Sequence, residues 1–220
     1  MTELFSDGFE SGDLSAWTDT QIGTGGAVTV ESTNPHHGTY NEQAVCDGTD
    51  GTWAACYKTF AGEAIAYARY YVKFNSIDIT SNTRLEILAL DDGGYQERLS
   101  AILFNDGGTI KWGIRVVEGG VGTNHLGTHT PVVDTWYCVE IKRNVTNNQQ
   151  ELWIDGVSEV SATVTITSNS TTIRSGIVYQ RTSTSGNTHY CDCVVVADAY
   201  IGPEAEGGQQ LFTLINMMEY

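Results

Sequence analysis

The sequence predicts an all-β fold, a two-sheet antiparallel β-sandwich of the jelly-roll type, on three observations. Helical periodicity is nearly absent along the 220 residues, while apolar and polar positions alternate with period two in many short runs. Those runs are bounded by Gly, Asn, Asp and Ser, with 24 glycines against 3 prolines, which is the composition of strands joined by hairpin turns. At least ten such runs follow one another at short spacing, more than one sheet would hold, so two packed sheets are expected.

The elements follow in order. FSDGFESGDLSAW (Phe5 to Trp17) is an acidic turn closed by a tryptophan, and AVTVES is the first alternating run. In AYARYYVKF, Ala68, Tyr70, Val72 and Phe74 fall on one face and Tyr67, Arg69, Tyr71 and Lys73 on the other. TRLEILAL sets Leu85 and Ile87 opposite Arg84 and Glu86; TIKWGIRVV sets Ile110, Trp112, Ile114 and Val116 opposite Lys111 and Arg115. TWYCVEIKR and QELWIDG are joined by a polar turn, and SATVTIT, TIRSGIVYQ and CDCVVVADAYIG complete the series. NDGG, IDGV and LDDGG supply residues that tolerate positive φ in turns.

Bulk properties exclude several function classes. Asp and Glu number 27 against 11 Lys and Arg, a formal charge of −16, which repels nucleic-acid phosphates and anionic membranes and favours divalent cations at clustered carboxylates. A hydrophobic share of 40% is enough for a sizeable core. No stretch approaches the ~20 apolar residues of a membrane helix, so no membrane insertion is expected. Met1-Thr-Glu-Leu4 lacks the basic start and apolar run of a secretory signal, so export is expected by another route or after removal of a signal.

Five cysteines lack the paired CxxC spacing of zinc sites. Cys46 and Cys56 flank what reads as a hairpin loop, DGTDGTWAA, where a cross-strand disulfide is expected; the competing reading is small buried thiols. Cys191 or Cys193 would then reach Cys138. Sequons begin at Asn144 and Asn169, both read as turns or strand edges, and matter only in a glycosylating compartment. Trp53, in the same loop, is a candidate exposed contact. Composition changes after YIGP, giving a jelly-roll domain over 1–203 and a linker with an apolar tail over 204–220. The tail's Leu211, Phe212, Leu214, Ile215, Met217 and Met218 would need cover from a neighbouring subunit or a larger assembly, so a homo-oligomer is expected.

FSDGFESGDLSAW, HHGTY, YARYYVKF, WYCVEIKR, ELWIDG and CDCVVVADAYIGP, in this order from Phe5 to Pro203, resemble the concanavalin A-like lectin/glucanase superfamily, especially its laminin-G-like and polysaccharide-lyase-like jelly rolls. The resemblance implies that the first loop and last strand lie side by side and share a structural calcium. Asp7, Glu10 and Asp192 would be its carboxylate ligands, with Gly12 as carbonyl donor. The alternative is a solvated turn whose carboxylates cap backbone amides.

The superfamily's activities are not matched by motif. The glycosidase strand with carboxylates at alternate positions is missing: Glu86 stands alone beside Arg84, and Asp155 of ELWIDG belongs to a turn. TRLEIL resembles the Arg-x-Glu-Leu strand of alginate lyases, but that family's Gln-x-His and Tyr-x-Lys-x-Gly-x-Tyr strands are missing. None of His36, His37, His125, His129 and His189 stands mid-strand in a lyase-like motif. No catalytic residue is therefore assigned. Tyr67, Arg69, Tyr71, Lys73, Arg84, Lys111 and Arg115 would form one cationic, aromatic glycan-binding face if their strands are neighbours; otherwise they are the polar outer face of a sandwich. The expected function is a non-catalytic structural or surface protein, extracellular or virion-borne, with a glycan-binding face. A polysaccharide lyase and a monomeric lectin-type module are the alternatives.

Overall fold

The computed structural model describes residues 1–181 and 183–205. Among them are fifteen strands, and no helix. In chain order they are β1 (Glu3–Asp7), β2 (Asp19–Ile22), β3 (Gly26–Glu31), β4 (Asn41–Cys46), β5 (Thr52–Glu63), β6 (Ile65–Ser76), β7 (Arg84–Asp91) and β8 (Arg98–Asp106). Then come β9 (Thr109–Glu118), β10 (Val121–Leu126), β11 (Trp136–Asn144), β12 (Gln149–Ile154), β13 (Val157–Thr163), β14 (Ser170–Gln180) and β15 (Asn187–Ala197). The first sheet has eight strands, ordered β13-β12-β11-β6-β15-β4-β3 with β1 added beside β15. The second has seven, ordered β10-β9-β8-β7-β14-β5-β2. Every pairing is antiparallel, and the expected all-β jelly-roll sandwich is what forms.

The alternation read from the sequence builds the core. Ala68, Tyr70, Val72 and Phe74 of β6 are fully buried against the second sheet's Leu85, Ile87, Leu103, Trp112 and Ile114. Each fully buried large apolar side chain stabilises by roughly 1.5–3 kcal/mol. In β7 the register shifts between Glu86 and Leu88, so Ile87 and Leu88 both join the core while Glu86 stays on the outer face. The first loop and the last strand do lie side by side: Asp7 pairs with Val194, and the Thr2 amide donates to Asp198 at 2.6 Å.

Two expectations need correction here, and a third falls outside the described residues. Cys46 ends β4 in the first sheet and Cys56 lies within β5 in the second, so the segment between them crosses from sheet to sheet instead of closing a hairpin. Both are free, buried thiols, as are Cys138 and Cys191, and Cys193 is free as well. Asn144 is only 4% exposed and its carboxamide accepts from the Asn147 amide, so its sequon is shut inside the end of β11, while Asn169 is exposed. The six apolar tail residues, Leu211 to Met218, lie outside the described residues.

Candidate functional site

The outer face of the second sheet gathers charge from neighbouring strands. Glu86 on β7 is fully buried, although it points away from the sandwich core. Its Oε1 meets Arg84 Nε at 2.7 Å and Arg115 Nε at 3.5 Å; its Oε2 meets Arg98 Nη2 and Ser100 Oγ, each at 2.9 Å. Burial alone would raise this carboxyl. Arg98 and Arg84 outweigh it and hold the group below the usual carboxylate range. Register explains the cluster: Arg98 faces Asp91 and Val117, and Ser100 faces Ala89 and Arg115, so alternate positions of β7, β8 and β9 share one face.

A second ion pair continues the row. Arg174 on β14 binds Asp91 at 2.5 Å and donates to Gln21 Oε1 at 2.8 Å. Tyr95, carried by the turn between β7 and β8, lies 3.9 Å from the Arg174 guanidinium and 5.7 Å from that of Arg98, and its hydroxyl bonds Gln21. Tyr179 sits 5.4 Å from the Arg84 guanidinium. Between these rings runs a groove of about 650 Å³, lined by Gln21, Ile22, Trp53, Arg84, Tyr95, Arg98, Val178 and Tyr179. Trp53, expected to be an exposed contact, forms one wall and is 40% exposed. The volume falls in the range of ligand clefts, about 300–1,000 Å³.

The single cationic face expected from the sequence is therefore divided. Arg84 and Arg115 belong to this cluster, and Lys111 lies two strands from Arg84 on the same face, paired with Asp106 at 2.7 Å. Tyr67, Arg69, Tyr71 and Lys73 sit on β6, in the other sheet, on the opposite outer face of the molecule. There Tyr67 stacks on Trp153, Arg69 meets Glu204 at 3.3 Å, and Lys73 donates to Asn34 at 2.9 Å. Sequence reading missed Arg98, Arg174, Tyr95 and Tyr179. The alternation in RLSAI already put Arg98 and Ser100 on one side; what it lacked was the neighbouring strand.

The acidic opening turn fits calcium poorly. Asp7 accepts from the Phe9 amide at 2.8 Å and the Trp17 indole at 2.7 Å. Glu10 accepts from the Thr39 and Tyr40 amides at 2.9 and 3.0 Å. Asp192 accepts from the His36 and His37 amides at 2.9 Å and from the Cys193 amide at 2.6 Å. Gly12, with φ of 76°, uses its amide to bond the Phe9 carbonyl and turns the loop. A calcium ion needs converging oxygens; each of these carboxylates accepts from N–H groups, and among the described residues the three do not form one side-chain ligand cluster. Asp7 caps the Phe9 amide and Asp13 the Ser15 amide, at 2.8 and 3.0 Å, as in a capped turn.

The histidines do not enter the groove. His189 lies mid-β15 but is fully buried against Phe74, and burial holds it neutral with its pKa pushed down to about 3. His129 is paired with Glu159 on the loop after β10. Among the described residues, none of the groove's lining is histidine.

No family model and no curated protein sequence matches the chain. Solved structures do. The cellulose-induced protein Cip1 superimposes with a TM-score of 0.72 at 18% identity, covering 91% of this chain and 100% of that one. An endo-β-1,4-glucuronan lyase from the fungus Trichoderma reesei gives a TM-score of 0.71 at 14% identity, covering 90% and 96%. The receptor-binding domain of botulinum neurotoxin type G gives 0.59 at 8% identity, covering 92% of this chain and 49% of that one. At these identities the likeness is one of fold, and with its two antiparallel sheets the chain has the concanavalin A-like jelly-roll fold.

Proposed function

We propose that this protein binds an acidic polysaccharide in the groove on the outer face of the second sheet, without cleaving it. The observation that carries the reading is three guanidiniums around one buried carboxylate, beside Tyr95, Tyr179 and Trp53. Glu86 neutralises one of the three positive charges and orients the arginines, leaving a cationic excess on an otherwise strongly acidic molecule. Guanidiniums grip carboxylate or sulfate groups with paired hydrogen bonds, and the aromatic rings offer stacking faces for sugar rings. The reading places the protein outside the cell or on a surface, in keeping with fold relatives named as a cellulose-induced protein and a glucuronan lyase.

The test is calorimetric titration with polyglucuronate, polygalacturonate and a neutral glucan. Binding to the uronates but not to the glucan is expected, with quenching of Trp53 fluorescence. Arg98→Ala should weaken binding by at least about tenfold, the loss of one charged hydrogen bond, while thermal unfolding shows the variant folded. Equal binding of the neutral glucan would refute the assignment.

A β-eliminating lyase is the second reading, favoured by the phenol of Tyr95 beside two arginines. Such a reaction needs a base for the proton α to the uronate carboxylate and an acid for the leaving oxygen. Burial raises the Tyr95 phenol, which suits it to donate a proton and not to take one. With no histidine in the groove to serve as base, no new ultraviolet absorbance from an unsaturated uronate is expected on prolonged incubation. Assembly into a virion or filament is a separate proposal that rests on residues 206–220.

A further inference from the structure

On the opposite side of the molecule, four side chains from three separate segments converge. His36 and His37 come from the loop between β3 and β4, Cys193 from β15, and Glu204 from the segment that follows it; their ligand atoms all lie within 4.8 Å of one another. We propose that they bind one divalent transition-metal ion of the zinc class, through two imidazoles, a thiolate and a carboxylate.

The donor set suits that ion and not calcium. Zinc takes nitrogen, sulfur and oxygen ligands in tetrahedral geometry, with metal–ligand distances of about 2.0–2.3 Å, which puts ligand atoms roughly 3.3–3.6 Å apart. Here His37 Nδ1 lies 3.0 Å from Glu204 Oε2, and Cys193 Sγ lies 3.9 Å from His36 Nδ1. The His37–Glu204 pair has a hydrogen bond's distance without its alignment: Glu204 Oε2 is buried and has no hydrogen-bond partner. Two lone pairs aimed at a common point give that arrangement.

The surroundings hold the four groups in place. Asp192 accepts from both the His36 and His37 amides at 2.9 Å and so fixes the pair of histidines. The His36 ring stacks on Tyr71 with centroids 3.7 Å apart, and the hydroxyl of the same Tyr71 accepts from the Glu204 amide at 2.7 Å. Cys193 has a left-handed backbone, φ 51°, unusual for a residue with a side chain and consistent with a strained position that aims the thiol. Supporting contacts of this kind orient metal ligands and raise affinity. Arg69, 3.3 Å from Glu204 Oε1, balances the charge of the carboxylate. The His37 side chain is 51% exposed, which leaves a path for the ion. A bound metal would tie the residues after β15 to the loop before β4.

The experiment is titration of the full-length, reduced protein with zinc chloride against a chromophoric chelator, followed by cobalt substitution. One equivalent of zinc per chain and a thiolate-to-cobalt charge-transfer band are expected. Cys193→Ser should abolish the band, and the exposed-site variant His37→Gln should weaken zinc binding beyond the ~10–100-fold that loss of a supporting contact costs. Thermal unfolding of the metal-free variants shows whether they fold. No saturable zinc binding would overturn the proposal, and so would binding that His37→Gln leaves unchanged.

Discussion

Glu42 is a carboxyl inside the sandwich core. It is fully buried on β4, and its Oε2 accepts from Ser175 Oγ across the sheets at 2.5 Å. Burial pushes its pKa up to about 7, with the Ser175 hydroxyl and Cys56 opposing and Asp7 adding to the rise. A folded-state pKa raised above the ordinary 4.5 means that the protonated form is the one the fold accommodates. Its contribution is present below pH 4.5 and is lost as pH rises to about 7. Glu42→Gln, neutral at every pH, should match the wild type near pH 4 and exceed it at pH 8 by on the order of 3 kcal/mol, measured by urea unfolding. A constant difference across that range would remove Glu42 from the account. Glu86 is the contrasting case: equally buried, it is held ionised because three arginines reach it.

At the scale of the element, β14 shows how closely the two sheets approach. Gly176 has φ of 102°, and a Cβ there would stand 2.6 Å from the Ala54 carbonyl and 2.6 Å from Glu42 Oε1. Gly176→Ala should therefore cost at least about 2 kcal/mol, from strained backbone plus overpacking, seen as a lowered Tm. The strands themselves were readable, because alternation is a local property. The faces of β6 and β9 came out as expected, and LDDGG does turn the β7–β8 hairpin. Strand order is not local, and this is where the site escaped sequence reading. Arg84 and Arg115 were identified, but the strand between them, with Arg98 and Ser100, joins them only through the register of β8. Lys73 looked equivalent to Arg84 and lies on the other sheet. The cross-strand disulfide failed for the same reason: Cys46 and Cys56 are close in sequence, yet β4 and β5 pair with other strands. The adjacent His36 and His37 carried no site signal in the sequence, because Cys193 and Glu204, far along the chain, complete the group.

For the whole molecule, a charge of −16 with a local arginine cluster predicts selective behaviour toward polyanions. Uronate chains should bind at the groove and be repelled elsewhere, so saturation at one site per chain is expected, with none of the indefinite binding of a basic protein. The geometry of Asp7, Glu10 and Asp192 predicts that calcium and a calcium chelator leave Tm unchanged; a chelator-induced drop would restore a calcium at that turn. Residues 206–220 follow the last described strand, so a chain shortened by them keeps every described strand and tests the assembly reading. If the apolar tail drives assembly, light scattering will show a smaller native mass for the shortened chain than for the full one; equal masses would end the assembly reading.

Thr2 and Asp198 bond each other at the end of the ladder where Glu3 faces Ala197. Tension applied between those two residues would load the β1–β15 hydrogen bonds one at a time, in the manner of a zip, and not all together in shear. The first strand would peel at low force while β6 and β4 still hold β15 between them. A domain stretched from these two points would thus give way gradually and close again once the tension is released.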